Sequence, residues 1–61
     1  MTKLEILKRE VDISGLEIEI IAAPQGAVTF DLLALIRRPG SKFIMEVVFV
    51  DSINNKIVNR Y

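Results

Sequence analysis

The sequence predicts a mostly β fold, a small antiparallel meander of four to five strands forming one domain over residues 1–61. The alternative is an α+β form with a helix at 2–10 or 29–38. Two stretches carry the prediction. Between Val28 and Asp51 the apolar runs VTFDLLALIRR and KFIMEVVFVD meet at Pro39-Gly40, and between Gly15 and Ala22 apolar residues alternate with acids. Alternation with a period of two places successive side chains on opposite faces, the mark of a strand with one buried side.

The first segment, TKLEILKREVDISG, reads two ways. As a helix, Thr2 caps it, Glu5 completes a capping box, and Leu4, Leu7 and Val11 share a face. As a strand, a turn at Asp12–Gly15 sets Val11 opposite Leu16 and Leu7 opposite Ile20, giving the next strand a partner. The strand is preferred because an unpaired edge is otherwise left exposed. Gly15 to Ala22 follows as a strand, with Leu16, Ile18 and Ile20 on one side and Glu17 and Glu19 on the other. Ala23-Pro24-Gln25-Gly26 stops it, since Pro24 lacks an amide donor and Gly26 is free to turn.

The next arm, Thr29 to Arg38, has a helical competitor: Thr29 as cap, Asp31 in the first turn, Arg37 and Arg38 at the negative end of the dipole, and Pro39-Gly40 as a stop. The β-branched and aromatic start at Val28, Thr29 and Phe30 favours a strand. Folding back with Arg38 facing Ser41 puts Val28, Phe30, Leu32, Ala34 and Ile36 on one face with Phe43, Met45, Val47 and Phe49. That face is wholly apolar, and the opposite one is mixed. Lys42 to Ser52 is interrupted only by Glu46 and reads as a central strand covered on both faces. Asn54-Asn55 suits a second turn, and Lys56 to Tyr61 returns as a short last strand, with Tyr61 loose at its end.

Size and composition bear on association. A 61-residue chain removes only about 60% of its unfolded surface from water. Its core supplies on the order of 3 to 5 kcal/mol. Cysteine and histidine are absent while 51% of the residues are hydrophobic, so disulfides and ordinary zinc sites are excluded and association is the remaining stabiliser. A homo-oligomer is therefore expected, with Phe43, Met45, Val47 and Phe49 as the self-association surface.

The net charge is zero, which argues against a surface built throughout for nucleic acid or an anionic membrane. Residues 1–31 nevertheless carry six acids against three bases, and residues 32–61 five bases against two acids, so the halves are complementary within a sheet or across a dimer interface. The start of the chain shows no apolar run with a cleavage site, and the apolar stretches are too short to span a membrane. A cytoplasmic protein is the expectation.

The sequence offers little to catalysis. A nucleophilic relay needs a base beside its nucleophile, and neither histidine nor cysteine is present. Ser14, Ser41 and Ser52 fall at turns, where local hydrogen bonding is their ordinary use. Asp31 and Glu46 are the only acids within the hairpin, placed diagonally by the register above, and are read as solubilising charges. DSINNK lacks the further acids and the glycine of a calcium loop, and the glycines are isolated, so no metal or cofactor is expected.

One cluster invites a partner. Arg37, Arg38, Ser41 and Lys42 surround the Pro39-Gly40 turn, and a two-stranded ribbon with such a tip is narrow enough for a major groove. The expected function is a small non-enzymatic binding module, scaffold or inhibitor-like, working through protein-protein contacts and associating with itself. The alternative is a nucleic-acid-binding β protein using the tip at 37–42, with Lys56 and Arg60 in support.

Overall fold

The computed structural model describes residues 1–61 as α1 (Lys3–Ile13), β1 (Glu17–Ala22), β2 (Leu32–Arg37), β3 (Ile44–Asp51) and β4 (Lys56–Arg60). The four strands form one open antiparallel sheet in the order β1-β2-β3-β4, the expected meander.

The preferred strand at the start of the chain is corrected. Residues 3–13 are helical, the alternative reading, and the capping box decides it. The Thr2 hydroxyl accepts from the Glu5 amide (3.1 Å), and the Glu5 carboxylate accepts from the Thr2 amide (2.9 Å). Reciprocal capping satisfies two amides that no intrahelical carbonyl can reach. The helix then crosses one face of the sheet, where Leu7 and Val11 are buried with Ala34, Ile36, Val48 and Val50. Leu4, Leu16, Ile18, Ile20, Leu32 and Ile57 pack around that cluster. The other face has no covering element, so β3 is covered on one face rather than two.

The hairpin register is the second correction. Ile36, expected opposite Phe43, pairs with Glu46, a slip of three residues. Because three is odd, the slip exchanges the faces of one arm relative to the other. Ala34 and Ile36 therefore share the helix side with Val48 and Val50, while Leu33 and Leu35 share the open side with Val47 and Phe49.

Pro39-Gly40 does turn the chain: the Ser41 amide donates to the Arg38 carbonyl (3.0 Å) and Gly40 has φ +78°. Proline followed by a positive-φ glycine matches a type II turn, whose twist splays flanking strands instead of continuing them as a two-residue hairpin. The ladder resumes only at Ile44, with an irregularity at Ile36/Arg37 that leaves Met45 unpaired. At the other end, β2 begins at Leu32 rather than near Val28, and Val28 lies in the preceding loop, 92% exposed.

The turn at Asn54-Asn55 forms as expected, with Asn55 at φ +53°. A second irregularity, between Phe49 and Val50, leaves Val58 unpaired on β4. Tyr61 is not loose. Its backbone exchanges two hydrogen bonds with Val47 (2.9 and 3.2 Å), and its ring meets Phe49 edge-on at 5.5 Å.

Candidate functional site

The fold leaves one face of its sheet uncovered. Strand alternation sends Ile21, Leu33, Leu35, Val47 and Phe49 to this side, opposite the residues that meet α1. Phe30 extends the patch past the start of β2 and packs edge-on to Phe49 at 4.9 Å, so that Phe30, Phe49 and Tyr61 form an aromatic row. Edge-to-face pairs of this kind fix ring positions beyond what burial alone does. Leu33, Leu35, Val47 and Phe49 remain half-buried, with no helix or second sheet over them. The central strands β2 and β3 carry no charge between Arg37 at one end of this face and Asp51 at the other.

Of the four residues expected for self-association, Val47 and Phe49 lie on this face. Met45 sits at the irregularity, 52% exposed, and Phe43 is in the loop before β3, 75% exposed. Sequence reasoning missed Leu33, Leu35 and Ile21 as their companions, because the assumed register turned the two leucines to the mixed side. The signal that could have found them was the twist of a Pro-Gly turn.

Arg37, Arg38, Ser41 and Lys42 lie around the Pro39-Gly40 turn at one end of the sheet, and acids accompany them. The Arg37 guanidinium donates to Glu19 Oε1 (2.9 Å), and Glu17 Oε1 accepts from the Gly40 amide (3.1 Å). Both acids come from β1, whose register sets Glu17 opposite Arg37. Ser41 is used locally, its hydroxyl accepting from the Phe43 amide (3.1 Å), while Arg38 and Lys42 are exposed and form no ion pair.

Asp31 and Glu46 are not brought together. Glu46 lies on the helix side, where Arg60 donates from Nε at 2.7 Å and from Nη2 at 3.3 Å, and this pairing lowers the carboxyl pKa. Asp31 lies at the opposite end of the sheet, where the Ser52 hydroxyl and amide donate to it and hold its pKa low. Asp51 is likewise held low by the side chain and amide of Asn54. Carboxylates kept ionised by donors are poor general acids at neutral pH. Ser14 ends α1, its amide donating to the Glu10 carbonyl (3.0 Å) while the Gly15 amide donates to that of Asp12 (3.1 Å). No group of three acidic, histidine or cysteine side chains converges to hold a metal, and no helix is long and apolar enough to cross a membrane.

Three hollows interrupt the surface. One of about 130 Å³ lies between α1 and the sheet, lined by Leu7, Glu10 and the Glu46–Arg60 pair among others. One of about 180 Å³ lies at the start of α1, and one of about 200 Å³ lies beside Phe30, Asp31 and Asp51. Pockets for small molecules usually enclose roughly 300 to 1,000 Å³, and each of these hollows is smaller. Comparison with known proteins yields no match, whether to a family model, a curated protein or a solved structure.

Proposed function

We propose that the protein is a small non-enzymatic binding module of the cytoplasm, acting through protein-protein contact and associating with itself by the open face of its sheet. The observation that carries this reading is the half-buried apolar patch of Leu33, Leu35, Val47 and Phe49, bordered by Ile21, Phe30 and Tyr61 and, beside Leu35, by the Glu19–Arg37 ion pair, on a chain with only six buried residues. Apolar surface of this extent is stabilised by removal from water, and a core so small gains from every side chain so removed. The absence of a roomy pocket and the low pKa values of Asp31, Glu46 and Asp51 support binding over catalysis.

The nucleic-acid reading of Arg37, Arg38, Ser41 and Lys42 is weaker, because Glu19 holds Arg37 and Glu17 holds the turn backbone, setting two negative charges beside three positive ones. Counterion release, the main driver of such binding, scales with the cations free to meet phosphates.

The test is the mass in solution of the wild type and of Leu35→Asp, by sedimentation equilibrium at micromolar concentration, with circular dichroism as the check on folding. The wild type sediments as an oligomer, and Leu35→Asp keeps its spectrum and sediments as a monomer. A charge desolvated at the centre of an apolar interface costs at least about 2 kcal/mol, or roughly 30-fold in affinity. A wild type that stays folded and monomeric at these concentrations removes the reading.

A further inference from the structure

The charges around the open face are sorted by end. Where β2 passes into β3, Arg38 and Lys42 stand exposed without an ion pair beside Arg37, which is held by Glu19. At the far end of the same strands, Asp31 precedes β2 and Asp51 closes β3. Their oxygens are met by neutral donors, Ser52 for Asp31 and Asn54 for Asp51, with Lys56 paired to Asp51 in the ladder. Among the residues of the strands and their connecting loops, Arg37, Arg38 and Lys42 with Glu17 and Glu19 leave one positive charge, and Asp31 and Asp51 with Lys56 leave one negative charge; α1, with Lys3 at the acidic end, packs on the opposite face. Between the ends, the central strands present only Leu33, Leu35, Val47 and Phe49.

Building on the reading of the open face as a self-association surface, we infer that the basic tip at 37–42 docks on the acidic end, Asp31 and Asp51, of a second copy, in a face-to-face pair whose strands run in opposite directions.

Two sheets packed face to face keep their strands within about 30° of alignment, and a twofold axis makes each copy's patch the partner's complement. The axis then lies between the sheets, either along the strands or across them. An axis along the strands stacks like ends, setting Arg38 and Lys42 against their own copies and Asp31 and Asp51 against theirs. An axis across the strands stacks unlike ends, so each basic tip meets an acidic end, twice per dimer. Like charges brought together across an interface are repulsive and exclude the first arrangement; opposite charges at the rim fix register and speed encounter in the second.

Size points to a second copy as the occupant. The open face is one side of a four-stranded sheet in a molecule 32 × 25 × 16 Å across, and a second copy presents a face of the same outline. The match extends to shape, because a sheet face interdigitates with another sheet at about 10 Å.

The chain lacks cysteine, so introduced thiols report contacts without background. Lys42→Cys marks the basic tip, and Ile53→Cys, at a residue 84% exposed in the turn after Asp51, marks the acidic end. Under mild oxidation, a mixture of the two variants gives the mixed disulfide dimer, identified by mass, severalfold faster than either variant alone gives its homodimer. Lys42→Cys linking to itself as readily as it links in the mixture overturns the arrangement, as does a mixture that sediments as dimer yet forms no mixed disulfide. In parallel, Arg38→Glu combined with Lys42→Glu weakens dimerisation at least tenfold at low salt and less at high salt; an unchanged dissociation constant overturns the pairing of ends. A wild type that remains monomeric removes the self-association reading itself, a failure distinct from a dimer of the other arrangement.

Discussion

Asp31 joins two loops at one end of the sheet, and its chemistry sets how the protein responds to acid. The Ser52 hydroxyl and amide donate to its charged form and lower its pKa from 3.8; Asn54 does the same for Asp51. Glu5 is lowered from 4.5 by Thr2 in the capping box, and Glu46 from 4.5 by Arg60. In the unfolded chain these carboxylates take up protons near their ordinary values, and in the folded protein only at lower pH. The stability they contribute is therefore complete above the unfolded values and is lost as pH falls through the folded ones. We predict urea midpoints that are level above about pH 5 and fall steadily below 4.5 and on through 3.8. Asp31→Asn should lower the midpoint at neutral pH and flatten this acid limb. An Asn variant whose limb is as steep as that of the wild type would show that Ser52 does not hold the Asp31 charge. The residue types at these positions were legible in the sequence, but their partners were not. Ser52 lies 21 residues from Asp31, and only the observed strand pairing brings them together.

At the scale of elements, signals confined to neighbouring residues were readable and those needing a third element were not. Thr2 with Glu5, and Asn54 with Asn55, specify a cap and a turn from within a few positions. The register of β2 on β3 was hidden because both arms alternate, so either parity gives an apolar face. What selects one is α1, since Leu7 and Val11 need Ala34, Ile36, Val48 and Val50 on a common side. The turn at Asn55 is coupled to that helix, because its Oδ1 accepts from the Lys3 amide at 2.7 Å while its backbone holds φ +53°. Asn55→Gly keeps the left-handed conformation and loses one hydrogen bond, for a cost of about 1 kcal/mol. Asn55→Ala loses that bond and also strains the backbone, for about 2 kcal/mol or more. Urea denaturation of the two variants separates these contributions, and equal losses would mean that the backbone conformation contributes nothing.

For the whole molecule, the proposed self-association through the open face ties stability to concentration. Six buried residues, all from α1, β2 and β3, form a core of modest size, while the aromatic row and the leucines opposite remain in contact with water in a lone chain. Burial of that second layer needs a partner, and anything that binds the folded state alone stabilises it by mass action. If two folded chains associate and unfolded chains do not, each tenfold rise in protein concentration adds about 1.4 kcal/mol per mole of dimer to the unfolding free energy. The wild-type urea midpoint should therefore climb between roughly 1 and 100 µM, a range in which unlinked unfolding is independent of concentration. Leu35→Asp leaves the helix-side core untouched, so its midpoint should be lower than that of the wild type and flat over the same range. Circular dichroism at matched path lengths measures both curves. A wild-type midpoint that does not move with concentration would mean that folding is complete within one chain and that the uncovered layer contributes nothing to it.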